Sequence, residues 1–558
     1  MPKTNEADNK PGYDTYLALV PRGLHIKARE IVLEELSSSS FHVHVEFLGE
    51  EIQDEASFVK QVSSTVEENG NRKAAHAKSS CCLPVGSVEE NKKHTSLGYF
   101  RKQYPIWSQP GTLIGQVWLK IATDAPADRV ANIRVLGPLL GLVQVWENVN
   151  LSPTMSLSEV VESIRELVGS SEKHFPFQSA LRLWQKHAAI VWNLSNKELL
   201  ALEEKRKYRI SCLRTDSEKF QYTRQQLITE IAEIIVPKSV KKDSWKVDLT
   251  SYDLEVVALI HPHALAVGLA LRPYQRLGTR SFSAGNIPPD TSPPYLSGQD
   301  TSNLVNLRPA TAQILLHFAE LSRGDIVVDP AAGIGTIPIE ASFGENGAVG
   351  LGGDVVLTST PPGLGVLASD YMAKSRAYVT SRSPPRVAIN DLVAWDATNL
   401  PWRDASVDAC VSDLPFGQLC MSSARLHNVL PLMMLEMARI LRPNTGRMVL
   451  LCGHWLQVVS AMQSLNDASN QFESETPTTT RSNFANNQYT VIELPCDSIF
   501  PVNIGGLIAW VVIAKRGSGK AKPFKNHKER VRKLTLKRQR QESLHVNGKP
   551  DKRGAIQS

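Results

Sequence analysis

The segment Asp413-Leu414-Pro415-Phe416-Gly417 contains the residue types needed to hold an amino group in position as the acceptor in a group-transfer reaction. It follows the mostly apolar run 407–411, which predicts a buried strand. The Asp413 carboxylate and the next backbone carbonyl can accept hydrogen bonds from an exocyclic NH2. Pro415 stiffens the turn because its ring fixes φ, and Phe416 offers a flat surface to a base or other planar amide. The pattern predicts catalytic roles for Asp413, Leu414, Pro415 and Phe416 in presenting an amino nitrogen to a methyl donor.

A second motif upstream predicts the donor site. The apolar strand 326–328 ends at Asp329, and Gly333 and Gly335 follow, which allow a ligand to approach the backbone closely. Pro338 occupies the position where a dinucleotide site would have its third glycine, so S-adenosylmethionine is favoured over NAD. Asp329 would pair with the methionyl ammonium, and the helix start near Thr336 would suit its carboxylate.

Two further acidic residues are expected at this site. Asp354 follows the next predicted strand and is the best candidate for binding the ribose hydroxyls, with Asp370 as the rival. Asp396 stands in a loop that would contact the adenine amino group, and its alternative role is that of an ordinary loop carboxylate.

Composition limits the class of protein. The 558 residues suggest two to four domains, and the hydrophobic share of 42% is enough for packed cores. No apolar run is long enough for a membrane helix, and the polar N-terminus lacks a signal-peptide core. The seven cysteines are scattered without a CxxC pair, so neither a metal site nor a disulfide framework is predicted. The cytoplasm, and also the nucleus, would suit such a chain.

The net charge of +6 conceals an asymmetry. Residues 515–558 hold fifteen Lys and Arg against three Asp and Glu, so the remainder of the chain is acidic. Such a tail would be attracted to phosphates, although a solvated tail or a nuclear address explains it equally well.

Periodicity and composition predict an N-terminal α+β unit, a linker and an α/β domain with alternating strands and helices, typical of a doubly wound parallel sheet. An antiparallel hairpin of 489–494 with 507–514 should close that sheet, and the charged segment 195–207 should be helical. The predicted units are a disordered start (1–12), an N-terminal region (13–200) with a disordered insertion (52–98), a second α+β unit (205–272), a linker (273–303), the α/β domain (304–516) and a basic disordered tail (517–558).

The combined motifs resemble the THUMP-associated RNA methyltransferases. The resemblance rests on Leu307–Ala312, on both motifs above, on Trp395-Asp396, and on the closing Asn503-Ile504-Gly505-Gly506-Leu507. Upstream, Tyr208–Cys212, Trp245–Leu249, Leu254–Val256 and Val267–Leu269 resemble the THUMP domain itself, and the resemblance to a ferredoxin-like unit before them is weaker. Ala331-Ala332 and Gln418-Leu419 depart from the family pattern, which has Met-Cys at the first pair and basic residues at the second.

The resemblance implies a class I Rossmann-like methyltransferase domain, preceded by an α+β ferredoxin-like and THUMP RNA-binding module. It adds Arg308 to the expected cofactor site and implies S-adenosylmethionine as cofactor. It also implies a small zinc-containing activator subunit as partner. Basic residues of the THUMP region become candidate RNA contacts, namely Lys205, Arg206, Lys207, Arg209, Arg214 and Arg224.

The most similar subgroup, that of THUMP-domain-containing protein 3, makes N2-methylguanosine at the sixth or seventh nucleotide of the tRNA acceptor stem. A sibling subgroup methylates a guanosine of U6 small nuclear RNA. Two other hypotheses remain open: methylation of a DNA adenine or protein glutamine, and a non-catalytic RNA-binding protein with a decayed methyltransferase domain.

Overall fold

The computed structural model describes a defined part of the chain. It covers residues 14–47, 116–169, 197, 206–272, 307–354, 389–415, 423–474, 490–495 and 498–521, apart from 22, 138, 148–150, 152–153, 215–220, 236–244, 249–251, 253, 262–263, 334, 344–346 and 505–506. The predictions for 1–12, 52–98 and 273–303, for Lys205, Asp370 and Phe416, and for most of the tail lie outside the described residues.

The N-terminal part of the chain forms one mixed sheet. Its strands are β1 (Asp14–Pro21), β2 (Val43–Phe47), β3 (Gln116–Thr123), β4 (Leu139–Glu147), β5 (Arg206–Arg214), β6 (Trp245–Val247), β7 (Leu254–His261) and β8 (Ala264–Arg272). They lie in the order β2-β3-β1-β4-β8-β7-β5-β6. The pairing of β4 with β8 makes the sheet continuous, so the two predicted N-terminal units share it.

Four described helices accompany this sheet. They are α1 (His25–Ser37), α2 (Ala127–Asn132), α3 (Leu157–Gly169) and α4 (Arg224–Ile235). Two of them begin at capping boxes, in which a side chain and a backbone N–H three residues apart bond reciprocally. Ser156 and Glu159 form the box of α3, and Thr223 and Gln226 form that of α4. These local signals explain why both helices begin at these residues.

The second unit is an α/β domain. Its strands are β9 (Ile326–Asp329), β10 (Val349–Gly353), β11 (Asn390–Val393), β12 (Ala409–Asp413), β13 (Arg447–Cys452), β14 (Ile492–Glu493), β15 (Ile499–Ile504) and β16 (Leu507–Arg516). Its described helices are α5 (Pro309–Phe318), α6 (Thr336–Phe343), α7 (Ser423–Ile440) and α8 (Trp455–Ser474).

The strand order of this sheet determines where ligands can bind. The order is β11-β10-β9-β12-β13-β16-β14, with β15 also paired to β16. The first five strands are parallel and β16 is antiparallel, which confirms the predicted class I methyltransferase architecture. The chain order reverses between β9 and β12, so a crevice opens beyond their carboxyl ends.

The two units share a continuous core. Buried side chains of α1 and the N-terminal strands belong to the same cluster as Leu307, Val502 and other residues of the α/β domain. Gly23 has a φ of +91°, and a Cβ at that position would collide with the Pro501 carbonyl and with Val502. Glycine is therefore needed at this turn for its left-handed backbone and for the close approach of the two units.

Two expectations about secondary structure were wrong. Arg206 and Lys207 lie in β5 and not in a helix, because β5 pairs with β6 from Arg206 onwards. Only two residues of the predicted strand 489–494 are extended, and β15 supplies the long hairpin partner of β16. Gly505-Gly506, which separates β15 from β16, is a two-residue hairpin signal that points to this pairing.

None of the described helices is both long and apolar enough to span a membrane.

Candidate active site

Two aspartates end neighbouring parallel strands at the switch point. β12 pairs with β9 through Ala409–Val327 and Cys410–Val328, and Asp329 and Asp413 are the last residues of these strands. The predicted donor and acceptor residues thus lie at the same edge of the sheet.

Asp329 is almost fully buried, at 2% exposure. Its Oδ1 accepts hydrogen bonds from the Ser412 hydroxyl at 2.7 Å and from the Ala331 backbone N–H at 3.1 Å. The pKa of Asp329 is raised to about 8, chiefly by burial and in smaller part by the charges of Asp413 and Asp354, while the two hydrogen bonds oppose the shift. A cationic ligand group beside Asp329 would favour the ionised form of its carboxyl.

Asp413 has a buried carboxylate oxygen that no group in the described residues satisfies. Oδ1 lacks a hydrogen-bond partner there, and burial raises the pKa of Asp413 to about 7. The next residue is held firmly, because Leu414 is 2% exposed and its backbone N–H donates to the Leu451 carbonyl at 2.8 Å. A fixed strand end that presents an unsatisfied acceptor is suited to receive an N–H donor from a ligand.

The loop that contains Gly333 and Gly335, called here the glycine loop, is hydrogen-bonded to the end of β10. The Gly333 N–H donates to Asp354 Oδ2 at 3.0 Å, and the Ala332 N–H donates to the Gly353 carbonyl at 3.0 Å. Gly333 has a φ of +54°, and no atom lies within 4 Å of the position where its Cβ would be. The loop therefore has open space beside it, and Asp354 lies next to that loop.

The remaining predicted cofactor residues lie at the starts of two helices, α5 and α6. Gly335 precedes α6 with a φ of +85°, and Thr336 is the buried first residue of that helix. Arg308 is half-buried and caps α5 immediately before Pro309.

Asp396 is exposed, and its Oδ1 accepts bonds from the Thr398 N–H at 2.9 Å and hydroxyl at 2.7 Å. These bonds are typical of a carboxylate that stabilises its own loop, which is the alternative role given for Asp396 in the sequence analysis.

The candidate RNA-binding residues have differing environments. Lys207 is half-exposed and lies 3.3 Å from the Asp248 carboxylate. Arg209 is largely buried, forms an ion pair with Glu255 and lies over the Tyr252 ring at 5.4 Å. Arg206 and Arg214 begin and end β5, and Arg224 begins α4. Lys207 is thus more available than Arg209 to a nucleic-acid phosphate.

Two residues of the site were not assigned roles from the sequence. Ser412 donates a hydrogen bond to Asp329. Its position as a polar residue within the otherwise apolar part of β12 is the feature of the sequence that could have indicated such a role. Trp395 donates its indole N–H to the Pro330 carbonyl at 3.1 Å, and the Gly353 backbone packs against its ring. The tryptophan therefore connects the loop after β11 to the ends of β9 and β10.

Comparison with known proteins agrees with this geometry. Residues 385–479 match the family model described as RMKL-like, methyltransferase domain. The chain therefore contains a methyltransferase domain, consistent with the strand order of the second sheet.

Relatives of known activity resemble part of the chain. The mouse protein named tRNA (guanine(6)-N(2))-methyltransferase THUMP3 is 31% identical over 251 residues, which are 44% of this chain and 43% of the relative. The mouse U6 snRNA (guanine-N(2))-methyltransferase THUMPD2 is 28% identical over 244 residues, 44% of this chain and 38% of the relative. The chain thus matches less than half the length of these relatives. The crystal structure of TrmN from Thermus thermophilus is 16% identical, with a TM-score of 0.41 over 71% of this chain and 89% of that one.

Proposed function

We propose that this protein is an S-adenosylmethionine-dependent RNA methyltransferase that forms N2-methylguanosine in the tRNA acceptor stem, at the sixth or seventh nucleotide. The observation that carries the proposal is the buried Oδ1 of Asp413 at the switch point, which has no hydrogen-bond partner among the described residues and lies at the same sheet edge as Asp329. A guanine N2 amine supplies the N–H donors that this oxygen needs.

The residues at the donor site fit S-adenosylmethionine. Asp329 and Asp354 are acidic groups near each other at the donor site, where a positively charged ligand group would favour their ionised forms, and the glycine loop leaves open space beside Gly333. When bound, S-adenosylmethionine supplies an electrophilic methyl group on a positively charged sulfur. Asp329 would hold its ammonium group, Asp354 its ribose, and Arg308, Gly333, Gly335 and Thr336 would line the remainder of the site.

The acceptor residues would act by orientation. The N2 lone pair of guanine is delocalised into the ring, so the amine is a weak nucleophile. Asp413 Oδ1 and the Leu414 carbonyl would accept its two N–H groups and direct the lone pair at the methyl carbon. The nitrogen–carbon bond would form as the sulfur–carbon bond breaks, and the surplus proton on the nitrogen would leave to water. Alignment therefore supplies most of the rate enhancement.

The target base must leave the RNA helix to reach this site, because the amine is hidden in a paired stem. Phe416, which follows the stiff Pro415, would stack on the flipped base. The N-terminal sheet would hold the stem end, with Lys207 among its phosphate contacts.

The similarity to THUMP3, which is named as a tRNA (guanine(6)-N(2))-methyltransferase, favours tRNA as substrate. The second candidate function is N2-methylation of a guanosine in U6 small nuclear RNA. The observation that favours it is the similarity to THUMPD2, which is named as a U6 snRNA (guanine-N(2))-methyltransferase and is 28% identical. A non-catalytic role is disfavoured because Asp329, Gly333 and Asp413 are present in a site with an unsatisfied acceptor.

A small zinc-containing activator is the expected partner. In the described part of the chain, β11 pairs on one side only, with β10, and its neighbourhood exposes Ile389 and Val393 at 52% and 49%. An exposed apolar strand edge is a surface that a partner can cover. The expected location is the cytoplasm, and also the nucleus.

The test is nucleoside mass analysis after incubation with S-adenosylmethionine and the co-expressed activator. Unmodified tRNA transcripts and U6 RNA are supplied in separate reactions. N2-methylguanosine in tRNA, mapped to the sixth or seventh nucleotide, supports the proposal. Product in U6 RNA alone moves the protein to the second candidate, and no product in either RNA contradicts both.

A further inference from the structure

A buried ion pair joins the N-terminal unit to the methyltransferase domain. Arg134 lies between α2 and β4, and its Nε donates to Glu340 Oε2 of α6 at 2.7 Å, while a second guanidinium nitrogen bonds to Oε1. Glu340 is 1% exposed and Arg134 is 21% exposed. The two residues are 206 positions apart, so the pair exists only when both units are in place.

Other groups orient this pair. The Gln313 side-chain amide of α5 donates to the Glu340 carbonyl at 2.7 Å and to Glu340 Oε2 at 3.0 Å. The Arg134 guanidinium also lies over the Phe343 ring, 4.4 Å from its centroid. A planar guanidinium held by two bonds and a ring has little freedom, so the pair specifies geometry more than it adds stability.

The ion pair is one of two contacts that fix how the N-terminal unit is oriented relative to the methyltransferase domain. Glu340 lies on α6, the helix that follows the Gly333–Gly335 loop. A separate contact between the units is made where Gly23 packs on Val502 and Lys27 lies 5.9 Å from the centroid of the Phe318 ring. Because two contacts at different points oppose rotation about either one, the units are fixed in relative orientation.

We propose that Arg134 is a positioning residue that determines which nucleotide reaches Asp413. By anchoring the RNA-holding unit to α6, it fixes the distance between the bound end of the RNA and the acceptor site. This inference rests on the proposed function.

The experiment compares Arg134→Gln with Arg134→Lys and with Arg165→Gln. Arg165 is the matched control, because it is an exposed arginine of the same unit that pairs with Glu162. Each protein is assayed for kcat and KM with tRNA, for S-adenosylmethionine affinity by calorimetry, and for the position of the methylated nucleotide. We expect Arg134→Gln to raise the KM for tRNA at least about tenfold and to spread methylation to neighbouring guanosines, with cofactor affinity changed less than about twofold. Arg134→Lys should restore part of the selectivity.

The double variant Arg134→Gln/Glu340→Gln separates positioning from folding. It leaves no unpaired buried charge, so its melting temperature should recover relative to Arg134→Gln while its KM and loss of selectivity persist. Recovery of selectivity in the double variant, or kinetics of Arg134→Gln equal to those of the control, would overturn the proposal.

Hydrogen exchange provides a readout that does not depend on the reaction. In Arg134→Gln, exchange should increase in residues 133–137 and in α6 together, and it should not do so in Arg165→Gln. If the parent chain methylates neither RNA, the proposed function fails, while this measurement still decides whether Arg134 couples the two units. Unchanged exchange in both segments would contradict that coupling.

Discussion

The Ser412 hydroxyl donates a 2.7 Å hydrogen bond to Asp329 Oδ1. Ser412 immediately precedes Asp413, so this bond connects the end of the strand that presents the acceptor to the carboxylate expected to hold the methyl donor. Both residues are buried, at 0% and 2% exposure. A substitution at the end of one strand should therefore change the position of the carboxylate at the end of the other strand.

Removing this bond should weaken the donor site. In Ser412→Ala, the bond from the Ala331 N–H is the one that Asp329 keeps among the described residues, so we expect a stability loss of about 1–3 kcal/mol. S-adenosylmethionine affinity should fall as well, because the carboxylate is no longer held in one orientation. Urea unfolding and calorimetry measure the two effects. The control is Ser406→Ala, which removes an exposed hydroxyl bonded to the Arg403 carbonyl. Equal effects of the two substitutions would contradict a special role for Ser412.

The glycine loop allows a test with closely matched backbones. Gly333 and Gly347 have φ of +54° and +55°, and neither has an atom within 4 Å of its missing Cβ. Alanine at either position should cost roughly 1–2 kcal/mol of stability through the left-handed backbone. Only Gly333→Ala places a methyl group in the expected cofactor space, so only it should also weaken S-adenosylmethionine binding. Equal cofactor affinities of the two variants would show that the ligand lies elsewhere.

Stability without cofactor should depend on pH through the buried acids. Asp329 and Asp413 have pKa values raised to about 8 and about 7, against about 3.9 in an unfolded chain. The folded state therefore retains protons that the unfolded state releases, and their contribution to stability is complete below about pH 4 and is lost as pH rises to about 8. Urea titrations of the parent and Asp413→Asn proteins between pH 5 and 8.5 isolate the Asp413 part.

The difference between those two curves is the informative quantity, because burial lowers the pKa of His454 and this opposes the trend near neutral pH. Asp413→Asn should gain stability relative to the parent protein as pH rises. A difference that is constant across the range would show that Asp413 ionises normally in the folded protein.

The rate of methylation should follow ionisation of the same carboxylate. Asp413 can accept two N–H groups fully only when deprotonated, so kcat/KM for RNA at saturating cofactor should rise with pH and level off above about 7, the pKa of Asp413. Asp413→Asn retains a neutral oxygen acceptor and should show lower, pH-independent turnover. A parent profile without this rise would argue against an ionised Asp413 in the reaction.

The motifs of this site can be predicted from sequence because their signals are local. Asp329 and Asp413 each end an apolar strand, and parallel strands bring such ends together whatever the intervening chain does. The Ser412–Asp329 bond and the Arg134–Glu340 pair could not be predicted, since each depends on how distant strands or units pack. The continuity of the N-terminal sheet was missed for the same reason, because β4 is defined by its pairing with β8. The hydrophobic periodicity of 489–494 predicted the long partner of β16, but the strand there, β14, has two residues and β15 is the long partner.

The central claim is that Asp413 orients the acceptor amine without holding the cofactor. The most direct test is single-turnover methylation of unmodified tRNA by the parent and Asp413→Ala proteins, each co-expressed with the activator and saturated with S-adenosylmethionine, with cofactor affinity measured in parallel. We predict that formation of N2-methylguanosine slows on the order of a hundredfold or more while cofactor affinity stays within about threefold. Methylation by Asp413→Ala at the parent rate, with the cofactor bound, would contradict the account.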